Sequence, residues 1–320
     1  MITVHRWGQK ARRSRFGRSS GLPGSVLAVV ACLALLVGGC SNRVEAEPGA
    51  AAKATVSVDS QLHDRLPADI VKRGELQVVT DASYPPIESF ADDGQTIVGV
   101  DPDIAQALAA VLGVKVTLHN VDFGALIDRV AAGKADMAMS AMTDTRAREA
   151  RLDFVNYFAA GTSIVVQRGN PESVTDLGSL CGRTVAVEKD TTQESLIGRY
   201  QSRCGNAITV LTGTSNDDAL LLLRTGRAVA VLMDYPPAEW LTTDPKTHAH
   251  YEMSTTAQYE PGLYGIGFAK GNATLRDVVR DALGQLIANG TYQAILDRWN
   301  VGHGAVTGVS INAATVAAGG

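Results

Sequence analysis

Several short polar stretches of this chain combine residue types that can hold both poles of a small zwitterion. They are Asp81 with Tyr84 nearby, Ser140 to Thr143, Arg148, Asp190 to Thr192, and Asp234. A carboxylate suits a guanidinium fork together with backbone N–H groups at the start of a helix. An ammonium group suits a carboxylate such as that of Asp234. These residue types therefore predict a site for a molecule that carries both charges.

Most of these stretches stand where the sequence predicts that a β-strand ends. Runs rich in β-branched and small apolar residues predict strands over Leu76 to Thr80, Asp136 to Ser140, Thr184 to Val187 and Ala228 to Met233. Ligands of open α/β sheets bind beyond the carboxyl ends of the strands. We therefore expect the polar stretches to meet at one place.

Helical patterns alternate with these strands. Asp101, followed by a proline, predicts a helix start with Asp101 as the N-cap, and Gly113 predicts the end of that helix. Strand-helix-strand alternation implies a largely parallel sheet. The segment ALIDRVAAGKADMAMS, from Ala125, is echoed by ALLLLRTGRAVAVLMD, from Ala219. We predict an α/β fold with two similar lobes.

The lobes and the segments outside them have predicted boundaries. Strands over Thr162 to Gln167 and Leu263 to Phe268 are expected to cross between the lobes. The predicted parts are a signal peptide at 1–39, a lipidated cysteine and flexible tether at 40–58, lobe 1 at 59–165 with 263–300, lobe 2 at 166–262, and a loose tail at 301–320. The tail is rich in Gly and Ala, which motivates that last assignment.

The first 39 residues have the pattern of an export signal. They hold six of the 29 basic residues and none of the 33 acids, and an apolar run from Val26 to Val37 precedes Gly38-Gly39-Cys40. The run is shorter than the roughly 20 residues that span a bilayer, although an uncleaved signal anchor stays open as an alternative. Because Val37 to Cys40 resembles the lipobox of bacterial lipoproteins, we expect Cys40 to be acylated and the protein to be anchored on the outer face of the cytoplasmic membrane.

Removal of that leader leaves 281 residues, with 23 basic and 33 acidic side chains and a net charge of -10. Such a surface argues against sequence-independent nucleic-acid binding and against electrostatic attachment to anionic lipid. Of the four cysteines, Cys181 and Cys204 remain as a pair in an oxidising setting, so we predict a disulfide that contributes roughly 3 kcal/mol. No metal site and no cofactor are predicted, since the chain lacks the common motifs for either.

At this point a family resemblance becomes specific. LQVVTDASYPPIE, GVDPDIAQALAAVLG, MSAMTDTRAR followed by LDF, VAVEKDTTQE and DALGQLIANGTYQAILDRW occur in this order between Leu76 and Trp299. Together they resemble the family 3 extracellular solute-binding proteins, the polar amino-acid receptors of ABC importers. The resemblance implies a type II periplasmic-binding fold, mostly parallel sheets with two crossover strands, and a monomer that binds a free amino acid and a permease.

The resemblance also implies a role for each candidate residue. Arg148 and Thr143 would hold the ligand carboxylate from one lobe, and Thr191 and Thr192 would do so from the other. The remaining implied contacts are Ala141 and Asp234 to the ammonium group, Tyr84 and Phe123 on either side of the ligand side chain, and Asp81 deeper along it.

Each candidate has a structural alternative. Arg148 could form only an i,i+4 pair with Asp144, and Tyr84 could pack a turn before two prolines. Phe123 could belong to the core, and Asp234 could cap a neighbouring helix.

Two positions depart from the family pattern. Asp190 stands where the family usually has glycine, which puts the turn before Thr191 and Thr192 in doubt. Glu188 stands where some relatives direct a lysine, a glutamine or an apolar group at the ligand side chain. With Asp81 it adds negative charge, so we expect a basic or amide side chain rather than an acidic one.

Two other functions remain open at this stage. An enzyme on the same fold, similar to cyclohexadienyl dehydratase or to a murein lytic transglycosylase, could use Glu188 or Asp81 as its acid or base. A sensory receptor could use the same two-lobe clamp to bind an amino acid for a signalling partner. We expect a binding protein rather than an enzyme, because the residues that would grip an amino acid are present and no acid-base pair is recognisable.

Overall fold

The computed structural model describes residues 56–316, which fall within one compact unit of the chain. The predicted signal peptide, Cys40 and nearly all of the predicted tether lie outside the described residues. Across 56–316, no helix combines the length and the hydropathy needed to cross a bilayer.

The strands alternate with helices along the chain. The strands are β1 (Glu75–Thr80), β2 (Ser83–Tyr84), β3 (Glu88–Phe90), β4 (Ile97–Val98), β5 (Lys115–Asn120), β6 (Met137–Ala138), β7 (Leu152–Gln167), β8 (Thr184–Glu188), β9 (Thr209–Gly213), β10 (Ala230–Asp234), β11 (Tyr251–Met253), β12 (Tyr259–Ala269) and β13 (Ala305–Ile311). The helices are α1 (Ser60–His63), α2 (Ala68–Arg73), α3 (Val100–Leu112), α4 (Leu126–Ala131), α5 (Arg146–Glu149), α6 (Thr192–Tyr200), α7 (Asn216–Arg224), α8 (Tyr235–Thr243), α9 (Ala273–Ala288), α10 (Thr291–Arg298) and α11 (Ala313–Val316).

One large sheet runs through the described residues in the order β5-β1-β6-β12-β7-β10-β8-β9. Parallel pairs occupy its two ends, β5 with β1 and β6 at one and β10 with β8 and β9 at the other. In the middle, β12 and β7 pair antiparallel with each other and with their outer neighbours. The mostly parallel α/β fold with two crossover strands is confirmed.

Buried side chains form separate cores at the two ends of this sheet. The part around β5, β1 and β6, which we call lobe 1, has apolar clusters on both sheet faces, built around Leu108 and Phe154. The part around β10, β8 and β9, which we call lobe 2, has its own pair of clusters, built around Val187 and Val231. Each lobe therefore buries its sheet on both faces, as parallel sheets require.

Two long strands connect the lobes. The first part of β7 pairs with β12, and its last part pairs with β10 and β11 in lobe 2. Along β7 the packing changes from the lobe 1 core at Ala160 to the lobe 2 core at Ile164. The predicted lobe boundaries at 165 and 263 fall within these two strands.

Cys181 and Cys204 form the predicted disulfide in lobe 2, with their Cα atoms 5.4 Å apart. The predicted capping role of Asp101 is wrong. Gly99 is the N-cap of α3, and the Asp101 carboxylate instead accepts hydrogen bonds from the Tyr157 hydroxyl and the Ala141 N–H. A buried carboxylate gains more from two strong donors than from capping its own helix.

The predicted loose tail is also wrong over most of its length. Residues Ala305–Ile311 form β13, which pairs with β7, and α11 follows. The valines and the isoleucine of β13 pack against the lobe 1 core, and Asn312 accepts a hydrogen bond from the Phe154 N–H at 2.8 Å. The Gly and Ala content concealed a β-branched strand that covers an otherwise exposed sheet edge.

Candidate functional site

A narrow cavity lies between the two lobes, lined mostly by polar and charged side chains. Its lining residues are Asp81, Ser83, Tyr84, Glu88, Phe123, Ser140, Ala141, Thr143, Arg148, Glu188, Thr191, Thr192, Gln193 and Asp234. All ten of the residues that the sequence singled out lie in this one lining. Their contact with a ligand stays a prediction.

The ends of parallel strands bring the acidic side chains together. Asp81 follows β1 directly, Glu188 is the last residue of β8, and Asp234 is the last residue of β10. Lobe 1 contributes the first of these carboxyls and lobe 2 contributes the other two. The cavity therefore opens where the carboxyl ends of strands from both lobes face each other, as open α/β sheets favour.

The Arg148 guanidinium is held by neutral partners. Its Nη1 donates to the Thr143 carbonyl at 2.8 Å, its Nη2 donates across the lobes to the Asp190 carbonyl at 3.0 Å, and its carbon lies 5.1 Å from the centre of the Phe123 ring. Burial lowers the pKa of Arg148 to about 10, which still leaves it charged at neutral pH. The i,i+4 pair with Asp144 does not form, and Arg148 pairs with no carboxylate among residues 56–316. Its remaining donors are free for an anionic group.

The Asp234 carboxylate is buried, and polar side chains hold both of its oxygens. Gln193 donates to Oδ1 and the Tyr264 hydroxyl donates to Oδ2, each at 2.7 Å. Burial raises the pKa of Asp234 to about 6, while these hydrogen bonds and the charge of Arg148 limit the rise. The side chain makes no capping hydrogen bond to α8, so the capping alternative is not what the structure shows.

The hydroxyl of Tyr84 joins the two lobes. It accepts a hydrogen bond from the Asp234 N–H at 2.6 Å, and the adjoining Pro85-Pro86 peptide bond is cis. Phe123 lies at the start of a short 3-10 turn and stacks on the Arg148 guanidinium while it packs against the Phe154 cluster. Both aromatic rings line the cavity, so the predicted placement on either side of a ligand side chain remains a prediction.

The turn before α6 keeps its tight form although glycine is missing. Asp190 has a φ of 63°, in the left-handed region that aspartate tolerates better than most residues. Its N–H donates to the Glu194 carboxylate at 2.8 Å, and Thr191 is the N-cap that accepts from the Glu194 N–H. The Thr191 hydroxyl also donates to the Glu188 carbonyl. The turn is therefore stabilised by a local hydrogen-bond network, and the Thr191 hydroxyl is already occupied.

Ala141 has an unusual backbone conformation at the floor of the cavity. Its φ is 43°, and its N–H donates to the Asp101 carboxylate at 3.0 Å. A non-glycine residue in this region costs energy, and such residues cluster at functional sites. This hydrogen bond anchors the Ser140–Ala141 peptide, and the Ala141 carbonyl, which the family resemblance directs at an ammonium group, belongs to the next peptide along the chain.

The cavity holds an excess of acidic groups. Burial raises the pKa of Asp81, Glu88 and Glu188, and for Glu188 the nearby carboxylates help to raise it to about 9. Glu88 accepts a hydrogen bond from Ser140, and burial together with the neighbouring Asp101 carboxyl raises its pKa; burial also raises the pKa of Asp101, to about 6. Four carboxyls and one guanidinium therefore line the same space.

Three lining residues were missed from the sequence, Ser83, Glu88 and Gln193, together with Tyr264, which donates a hydrogen bond to Asp234. Gln193 carried a signal, because it follows the predicted Thr191 and Thr192 in the first turn of α6. Tyr264 lies within a predicted crossover strand, where a buried hydroxyl needs a partner. Glu88 carried none, since a single acid in a short strand is ordinarily exposed.

Two α/β lobes that share a crossover sheet and enclose a polar cavity define a two-lobe periplasmic-type binding protein. The chain belongs to the bacterial extracellular solute-binding proteins, family 3, whose sequence model matches residues 76–303. Among its relatives is the arginine-binding protein ArgT of Corynebacterium glutamicum, 29% identical over 79% of this chain and 83% of that protein. Another is the L-cystine-binding protein TcyJ of Escherichia coli K12, 28% identical over 77% of this chain and 90% of that one.

Solved structures show the same fold. An ancestral arginine-binding protein bound to arginine is 32% identical, with a TM-score of 0.66 over 71% of this chain and 98% of the other. The ancestral amino acid-binding protein AncCDT-1, a precursor of cyclohexadienyl dehydratase, is 31% identical, with a TM-score of 0.65 over 72% of this chain and 97% of the other. The type II two-lobe fold expected from the sequence is confirmed.

Proposed function

We propose that this protein binds a basic amino acid between its lobes and delivers it to the permease of an ABC importer. The observation that carries the proposal is that lobe 1 presents Arg148 and lobe 2 presents Asp234 to one cavity with an excess of carboxyls. The names of the relatives, which include arginine-binding and L-cystine-binding proteins, are consistent with an amino acid as the ligand.

The two charged residues suit the two ends of an amino acid. The free N–H donors of Arg148, with Thr143 and the first backbone N–H groups of α6, suit the ligand carboxylate. Asp234, held in its ionised form above pH 6 by Gln193 and Tyr264, suits the ammonium group. Opposite charges in these positions orient the ligand in one direction only.

The rest of the cavity favours a positively charged side chain. Asp81, Glu88 and Glu188 line it together with the rings of Tyr84 and Phe123, and Arg148 is the only basic residue of the lining. An aspartate or glutamate side chain would bring a further negative charge into this buried acidic space, which is strongly unfavourable. Arginine, lysine or ornithine would neutralise it.

Ligand binding and lobe closure are coupled in this proposal. Each lobe carries part of the polar set, so a ligand completes its contacts only when the lobes are closed. Two hydrogen bonds join the lobes directly, from Arg148 to the Asp190 carbonyl and from the Asp234 N–H to Tyr84, and separation of the lobes would break both. A ligand that binds the closed state better shifts the equilibrium towards it by its differential affinity.

The cellular setting is also part of the proposal. We propose export through the signal at 1–39 and anchoring by a lipid on Cys40, with the tether allowing the lobes to reach a permease. Radiolabelled palmitate incorporation tests the anchor. A Cys40→Ala variant should lose both the label and membrane association, and a soluble wild-type protein would contradict the anchor without touching the binding site.

A thermal-shift screen over the twenty amino acids and ornithine tests the ligand class. A ligand present at about one hundred times its Kd adds about 2.7 kcal/mol of stability, which is a shift of several degrees in Tm for a domain of this size. We expect arginine, lysine or ornithine to give the largest shift and aspartate and glutamate to give none. A larger shift with glutamate or aspartate, or no shift with any amino acid, would contradict the proposal.

One observation favours an enzyme as a second candidate. Glu188 has a pKa of about 9 and lies in the cavity, which is the state that a general acid requires. Incubation with prephenate, followed by detection of released phenylpyruvate, separates the two functions. We expect no turnover and an amino acid recovered chemically unchanged, and turnover that disappears in Glu188→Gln would establish the enzyme.

A further inference from the structure

Glu188 differs from every other acid of the cavity in having no donor. The residue is 9% exposed, its Oε1 is inaccessible to solvent, and neither carboxyl oxygen accepts a hydrogen bond from any group in residues 56–316. By contrast, Asp81 accepts from the Phe123 N–H, and Asp234 accepts from Gln193 and Tyr264. Glu188 is therefore a buried carboxyl that points into the cavity without a partner.

The charges around Glu188 are mostly of its own sign. They come from both lobes and comprise Asp81 after β1, Asp122 after β5, Asp217 on α7 and Asp234 at the end of β10, while Arg148 contributes a positive charge and Tyr84 a neutral hydroxyl. A buried carboxylate without donors, surrounded by carboxylates, loses far more solvation energy than Arg148 restores. The neutral carboxylic acid avoids that cost.

We propose that Glu188 is protonated in the unliganded receptor and releases its proton to solvent when the cationic side chain of a ligand enters, so that binding exchanges one cation for one proton. This inference rests on the proposed function, since it requires a basic amino acid in the cavity. A guanidinium supplies both the positive charge and the N–H donors that Glu188 lacks. The O–H bond of Glu188 breaks, its proton goes to the buffer, and the carboxylate pairs with the ligand.

Exchange of a proton for a cation keeps the net charge of the protein nearly constant on binding. The closed, liganded protein carries nearly the same net charge as the unliganded one, although a cation has been bound. A neutral analogue of the same shape finds a neutral acid that can accept or donate a hydrogen bond, and no proton needs to leave. Between pH 6.5 and 8.5, Glu188 therefore makes the affinity for cationic ligands depend on pH, whereas we expect the affinity for neutral ligands to stay constant over that range.

Isothermal titration calorimetry at pH 7.5 tests the exchange, with arginine titrated in phosphate and in Tris. These buffers differ in ionisation enthalpy, so the difference in heat gives the number of protons released. At this pH Asp234, with a pKa of about 6, is already ionised, whereas Glu188, with a pKa of about 9, is not. We expect about one proton released per arginine and a Kd that decreases about tenfold per pH unit between pH 6.5 and 8.5.

Three matched measurements complete the test. Citrulline, the neutral analogue of arginine, should release no proton from the wild-type protein. Glu188→Gln, which adds no bulk, should bind arginine without proton release and without pH dependence, and its Tm shows whether it folds. Glu172→Gln, the same change at an exposed acid of lobe 2, should behave as wild type.

The outcomes separate this inference from the proposed function. Arginine binding with equal heats in both buffers, or equal proton release from Glu188→Gln, would overturn the exchange while leaving the receptor intact. If no basic amino acid binds at all, the proposed function fails and the exchange fails with it.

Discussion

Replacement of Arg148 by methionine tests whether its guanidinium group binds the ligand or only stabilises the fold. Methionine keeps the apolar stem that packs near Phe123 but removes every N–H donor. The Arg148 guanidinium donates hydrogen bonds to two backbone carbonyls. Its other N–H groups pair with no carboxylate among residues 56–316. A bidentate pair with a ligand carboxylate involves two charge-assisted hydrogen bonds of about 1.5 to 3 kcal/mol each.

The expected loss of binding energy is therefore about 3 to 6 kcal/mol, which raises Kd by roughly two to four orders of magnitude. Stability should change little, because the two lost bonds to carbonyls contribute about 1 kcal/mol each and removal of a half-buried charge offsets part of that loss. A loss of at most about 2 kcal/mol, at about 2 to 4 °C per kcal/mol, lowers Tm by no more than about 8 °C.

Arg146→Met is the matched control for this prediction. Arg146 lies on the same helix, α5, but is exposed and makes no side-chain hydrogen bond or ion pair among the described residues. Calorimetry with arginine measures Kd, and circular dichroism measures Tm. A variant Arg148→Met that binds normally but melts far below the wild-type protein would show that Arg148 serves the fold and not the ligand.

Three further variants test separate parts of the site. Asp234→Asn should weaken arginine binding at least tenfold at pH 7.5. In the wild type, protonation of Asp234, whose pKa is about 6, lowers the affinity below pH 6, and the variant should lose this effect. An unchanged pH profile of Kd would refute the role of Asp234. Asp190→Gly should leave Kd within about threefold, because only the backbone of Asp190 contacts Arg148 and Glu194; a large change would show that its carboxylate matters. Joint replacement of Cys181 and Cys204 by serine should lower the free energy of unfolding by about 3 kcal/mol, measured by chemical denaturation. Calorimetry should give an unchanged Kd, and a loss of binding would show that the disulfide supports the cavity.

The site was predictable wherever backbone topology alone fixes it. Asp81, Glu188 and Asp234 end parallel strands, so alternation of strands and helices was enough to place them at one cavity. The hydrogen-bond donors that hold the Asp234 carboxylate were not predictable. Tyr264 and Gln193 reach Asp234 through tertiary side-chain packing that no local sequence pattern encodes.

Local rules failed where tertiary contacts outweighed them. Asp101 had the sequence of an N-cap, but the Tyr157 hydroxyl and the Ala141 N–H, both distant along the chain, bind its carboxylate. The tail was misjudged from its composition, although it pairs with β7 along a sheet edge that only the folded lobe provides. In both cases a partner far away in sequence decided the outcome.

Glycines mark the place where both crossover strands change lobes. Gly161 of β7 and Gly262 of β12 are close in the paired register, and a side chain at either would meet atoms at 2.8 Å, of Gln258 at the first and of Thr143 at the second. Rotation about backbone torsions at these two positions would leave both lobe cores intact, so we expect the lobes to open as two rigid bodies joined by a pair of strands. Two paired strands restrict that motion to rotation about one axis. The residues that line the cavity would therefore regain the same relative positions each time the lobes close.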